Sequence, residues 1–304
     1  MKIIQPPYWL NHCDVRDWRF EESDEMSAAS EEFFRIMDRY QGRAYVSAVA
    51  RFLGRHPNHI DALHHYALCK LDQGKCLEAL AFSHAAVATG MRIFPKEFAI
   101  GRDRLDTGYI KNRPFLRALH GLMSAQRAVG LTEDAVGTAQ MALGFDPGDR
   151  NGVRLELPVY LLELNRDAQA LKLFEDPAYD ETFHGVEYLH ALTLIRMNRQ
   201  EGLKKIWSFC LGYYPLVAKH LLDPTLPIPP NEDAHFGGVV MFSEFEGWMH
   251  ANQFRHLWRT NRTAMDLLRK EAEPYAQRNW ERPKSTLGLP IPLDAAENRG
   301  PGPQ

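Results

Sequence analysis

The chain has 304 residues, 45% apolar and 25% charged, with a formal net charge of -3. That length buries a substantial core as one elongated domain or two compact ones, and it excludes disorder for most of the chain. The near-neutral balance lacks the one-signed surface that nucleic acid or an anionic membrane selects, so neither is expected as a partner. Four well-separated cysteines, Cys13, Cys69, Cys76 and Cys210, fit reduced structural thiols. No run approaches the roughly twenty apolar residues of a membrane span, and the start of the chain lacks a secretory apolar core. The expected location is the cytoplasm.

In chain order, residues 1–25 mix aromatic and charged residues with Pro6 and Pro7 and read as an extended arm. Ser27 or Ser30 is positioned to cap a first helix whose apolar face is Phe33, Phe34, Ile36 and Met37. A second helix is expected from about Tyr45 to Leu53, stopping before Pro57.

From there to residue 216 a period of about 34 residues recurs, the mark of stacked helix pairs. Leu63, Tyr66, Ala67, Gly74, Ala79 and Ala86 form one frame; Leu119, Leu122, Gly130, Ala135, Ala142 and Pro147 form the next. A third unit carries Leu157, Leu161, Asn165, Ala170 and Phe174, and a fourth Ala191, Leu194, Asn198, Leu203, Trp207 and Pro215. Small residues let two helices approach closely, and the Gly or Asn is expected in a left-handed turn between them. Pro158 falls inside the expected first helix of the third unit, where it should shorten or kink it.

This frame resembles the tetratricopeptide repeat, with Ser83 and Ala139 where an aromatic is usual. The resemblance implies an all-α solenoid over residues 26–216 that binds a protein segment on the concave face of its first helices. The spacing between the first two units is too long, and the segment 91–114, MRIFPKEFAIGRDRLDTGYIKNRP, supplies the excess as a projecting insertion. It could instead pack its own Ile93, Phe94, Phe98 and Tyr109 on the repeats.

After Pro215, residues 217–280 read as a divergent helical cap. They hold a proline-rich crossing, a helix started by Ser243, and another started by Thr263. The tail, 281–304, is rich in proline and glycine and reads as flexible. The run YYPLVAKHLLDPTLPIPP, with Ser243, Glu244, Trp258, Ala264, Leu267 and Leu268, resembles the C-terminal part of the suppressor of tumorigenicity 7 family. It also resembles bacterial tetratricopeptide proteins with an Asn-Arg-Pro run like Asn112, Arg113 and Pro114. Both likenesses imply a binding scaffold and name no reaction.

The repeat frame puts Asp61, His64, Arg117, His120, Ser124 and Arg127 on the concave face, where Arg117 and Arg127 could grip a carboxylate in bidentate fashion. The same frame puts Leu155, Val159, Leu162, Tyr188, Leu192 and Ile195 along an apolar groove. That groove is either open to a partner or filled by the chain's own termini.

Arg104, Asp106, Asn112, Arg113 and Arg154 form a polar set whose Arg104, Asn112, Arg113 and Arg154 could recognise a small anion, or which could tie the insertion to the repeats. His56, His59, His64 and His65, with Asp61, lack a compact ligand spacing and read as solvated helix histidines, so no metal is expected. No cofactor fingerprint or nucleophile motif occurs in the sequence. The function expected is therefore a non-catalytic protein-binding scaffold. A small-anion binder or enzyme, with its site between the insertion and the repeats, stands as the alternative.

Overall fold

A computed structural model describes residues 6–176, 185–231 and 239–281. The tail 281–304, apart from Glu281, lies outside the described residues, as does part of the proline-rich crossing. Two compact units divide at 153/154, inside the run 26–216 read as one array. Among the described residues are thirteen α-helices and one two-stranded sheet.

Within residues 1–25, read as an extended arm, the chain forms a strand pair, which adds a small sheet to the mostly helical fold. Strands β1 (Tyr8–His12) and β2 (Trp18–Glu22) pair antiparallel, with Leu10 opposite Phe20. Tyr8, Trp18 and Phe20 are buried, at alternating strand positions.

In the first unit, α1 (Asp24–Arg39) is capped by Ser23, whose hydroxyl accepts from the Met26 N–H, and not by Ser27 or Ser30. Asp24 and Glu25 follow the cap, where carboxylates favour a helix start. Next come α2 (Gly42–Arg55), then the pair α3 (Ile60–Asp72) and α4 (Cys76–Met91), then the pair α5 (Arg113–Ala128) and α6 (Thr132–Phe145). Each pair turns at a left-handed glycine, Gly74 (φ 71°) and Gly130 (φ 85°). Ala79 and Ala135 are wholly buried where the paired helices meet.

Between α4 and α5 the insertion folds back on this unit. Phe94 and Phe98 join Phe20, Phe115 and Phe145 in one aromatic cluster, with Phe20 stacked on Phe115 at 5.2 Å between ring centroids. Main-chain bonds from Gly101 to Gly144 and from Leu105 to Phe145 fasten it to the end of α6. The insertion therefore packs rather than projects.

The second unit holds α7 (Val153–Glu163, its first residue closing the first unit), α8 (Asp167–Phe174), α9 (Glu187–Arg196) and α10 (Leu203–Tyr213), followed by α11 (Pro215–Leu222), α12 (Glu244–Arg259) and α13 (Arg262–Ala276). Helix α7 runs through Pro158 instead of ending there, although a proline brings no N–H to the helical ladder. Asn165 (φ 58°) and Asn198 (φ 55°) take the left-handed turns. Ser243 caps α12 by accepting from the Glu246 N–H, whereas α13 is capped by Asn261 and not by Thr263. Trp258 of α12 is wholly buried against Trp207 and Tyr188.

Candidate functional site

The first turns of α3 gather His59, Asp61, His64 and His65 between α2 and α5. His59 is the N-cap of α3, its Nδ1 accepting from the Ala62 N–H at 3.1 Å, while its Nε2 shares a hydrogen bond with the Ser30 hydroxyl. Asp61 receives both arms of Arg117, from Nε at 3.2 Å and Nη2 at 2.7 Å. The bidentate grip expected of Arg117 is thus made within the chain. His64 lies against Gly121 of α5. His59 and His64 are buried, which corrects their reading as solvated histidines.

Burial favours the neutral imidazole at each of these sites. It pulls His59 down to about 4 and His64 to about 3; the neighbouring Asp61 works the other way in both. His65 is also lowered, again by burial first. Among the described residues no group of three or more His, Cys, Asp or Glu side chains could hold a metal.

From this buried cluster a polar chain leads outward. His65 lies 3.9 Å from Asp61 and shares a 2.8 Å hydrogen bond with the Tyr45 hydroxyl through Nδ1. Burial holds that hydroxyl above its ordinary range, so it stays protonated and fixed. Tyr45 and His65 form the floor of an open groove whose walls are Gly42, Val46, Leu68 and Cys69, with Arg43 and Asp72 at the rim. Leu68 is exposed there. The sequence reading missed this groove, although His65, Leu68, Cys69 and Asp72 recur at helical spacing as one stripe on α3, half-buried at His65 and Cys69 and exposed at Leu68 and Asp72.

The other expected residues fall as follows. His120, Ser124 and Arg127 are half-buried along α5, and the Ser124 hydroxyl donates to the His120 carbonyl. In the second unit Val159, Tyr188 and Leu192 are buried and Leu155 is half-buried. The Tyr188 hydroxyl donates to the Tyr214 carbonyl at 3.0 Å. Trp258 covers Tyr188, so the C-terminal helices occupy what an open groove would have offered.

Of the anion set, Arg104, Asn112 and Arg113 belong to the first unit and Arg154 to the second. Arg104 pairs with Asp17 at 3.0 Å. Asn112 is wholly buried; it accepts from the Phe20 N–H at 2.9 Å and donates to the carbonyls of Trp18 and Asp106. Arg113 donates to the Thr107 carbonyl. Arg104 and Asn112 hold the hairpin to the insertion, and Arg113 fastens the insertion to the start of α5. Arg154 is buried in the second unit.

None of the four cysteines is disulfide-bonded, and Cys210 is buried. No helix of the described residues is long and apolar enough to cross a membrane.

Residues 18–285 match the model of a family described as transcriptional repressor TCF25. The match takes in the hairpin strand β2, all thirteen helices and the C-terminal run that resembles the suppressor of tumorigenicity 7 family. No curated protein matches the chain.

Proposed function

We propose that this chain, which belongs to the Tcf25 family, is a non-catalytic adaptor in transcription-related regulation that works by holding a segment of another protein. The observation that carries the reading is the groove between α2 and α3: an apolar wall of Val46 and exposed Leu68 over a fixed polar floor, Tyr45 and His65. An apolar anchor beside a few placed polar groups is the usual composition of a site for a protein segment. The frame of small residues and left-handed turns supports a tetratricopeptide-like relation between the helix pairs.

The net charge of -3 favours a protein over a nucleic acid as the direct partner. The family's description as a repressor sets a nuclear site of action beside the cytoplasmic one expected from the sequence.

Affinity capture with the intact chain, compared with Val46→Glu and Leu68→Glu, tests this. Leu68 is exposed and Val46 half-buried, so Leu68→Glu should melt like the parent and Val46→Glu slightly below it, both folded and both losing at least tenfold of a specifically retained protein. Unchanged retention by both folded variants would remove the groove from the account. Binding of duplex DNA in the nanomolar range at physiological salt would overturn the choice of a protein partner.

A further inference from the structure

The two edges of the N-terminal hairpin differ. Along β2 the outward groups around Trp18 and Phe20 are engaged: the Trp18 N–H donates to the Arg104 carbonyl, and the Asn112 side chain accepts from the Phe20 N–H while donating to the Trp18 carbonyl; beside the strand, the Arg104 N–H donates to the Arg16 carbonyl. Asn112 thereby stands in for a neighbouring strand. Since Trp18 and Phe20 point away from β1, the register pairs Arg19 with Asn11 and Glu21 with Trp9 through the ladder. The main-chain groups of Tyr8, Leu10 and His12 then point away from β2, and among the described residues no main-chain hydrogen bond reaches them; Tyr8 is buried, so the accessible part of the edge is half-buried Leu10 and exposed His12.

We propose that the outer edge of β1 is a docking site for an extended segment of a partner protein, which adds a third strand to the sheet. Alternating N–H and C=O groups on an open edge complement one chemistry above all, the backbone of another strand. Trp9, exposed on the same strand, offers an apolar surface for one side chain of the incoming segment. Pro6 and Pro7 lack an N–H and end the edge on one side; the turn at Cys13 ends it on the other.

That shortness decides between occupants. Five residues of β1 paired with five of a second copy bury far less than the ~1,000 Å² that a specific interface between copies needs. A partner segment has no such requirement when the rest of the partner is held elsewhere on the chain, because tethering supplies a high effective concentration. The proposal rests on the adaptor reading in this respect.

The probe is a displayed library of random seven-residue peptides selected on the full chain, followed by synthesis of the enriched peptides and NMR of the labelled protein. The expected peptides slow exchange of the Leu10 and His12 amides at least tenfold at saturation. Their Kd rises at least tenfold in His12→Pro, which removes one outward N–H and leaves the ladder to β2 intact. Asn11→Ala, whose main-chain groups face β2, should bind as the parent does.

Three results would overturn the proposal: no enriched peptide, peptides that bind His12→Pro unchanged, or protection of Leu10 and His12 that rises with protein concentration alone, which would assign the edge to a second copy. A protein lost from Leu68→Glu but retained by His12→Pro would sink the strand proposal and leave the adaptor reading in place. Loss from neither variant would sink both.

Discussion

The imidazole of His64 lies so close to Gly121 that its Nδ1 is 2.6 Å from where a Cβ on Gly121 would stand. Helices α3 and α5 approach at this point because one side contributes no side chain. Gly121→Ala should therefore destabilise the first unit by roughly 1–3 kcal/mol, the usual cost of overpacking a core. The gain of an alanine in helix propensity offsets about 1 kcal/mol of that at most. Urea unfolding measures it, and His64→Ala in the same chain should return part of the loss. If Gly121→Ala unfolds at the parent's urea midpoint, the contact is not limiting.

Much of the helical framework was legible because its signals are local. Gly74, Gly130, Asn165 and Asn198 sit at left-handed turns, and Ala79, Ala135 and Ala170 are wholly buried between helices, as the frame required. The hairpin was not legible in the same way. Its strands are five residues long and its turn lacks an Asn-Gly or Asp-Gly signature, so only the alternation of Trp18 and Phe20 marked it.

The fate of Tyr188 depended on tertiary placement that no local pattern encodes: Trp258, seventy residues later, packs edge-on against its ring. Arg117 was read as a free grip for the same reason, since Asp61 lies 56 positions away.

Asn112 should be the most sensitive polar residue of the first unit. Replacement by alanine strips the Phe20 N–H of its acceptor and two carbonyls of their donor in a wholly buried place. Each buried group left unmet costs about 1–3 kcal/mol, so Asn112→Ala should lose roughly 3 kcal/mol or more. Hydrogen exchange should show the hairpin opening first. An unchanged urea midpoint would show that water replaces the amide without loss.

Acid should weaken the first unit through His59 and His64. Their folded-state values, about 4 and about 3, lie below the unfolded value of 6.5, so the unfolded chain binds more protons between those limits. Stability from these residues is complete above about pH 6.5 and is lost as pH falls towards 4 and 3. His59 alone contributes roughly 2–4 kcal/mol to that slope. His59→Asn keeps an N-cap acceptor for the Ala62 N–H yet removes the titration, and so should flatten stability against pH between 6.5 and 4. Equal slopes in parent and variant would refute the assignment.

Asp61 is almost wholly buried and Arg117 is partly exposed, so the two sides of their ion pair are not equivalent. Arg117→Met leaves a carboxylate in the core without its cationic partner, among imidazoles that burial keeps neutral, and should cost about 2–4 kcal/mol. Adding Asp61→Asn to that variant removes the stranded charge and should recover most of the loss, as a double-mutant cycle in urea would show. If the double variant is no more stable than Arg117→Met, Arg117 acts through its packing over α3 rather than its charge. The binding test at Leu68 bears on the same question from outside. His65 joins Asp61 to the floor of the groove, so the folded double variant should also bind a captured partner more weakly, while Gly121→Ala, on the far side of α3, should not.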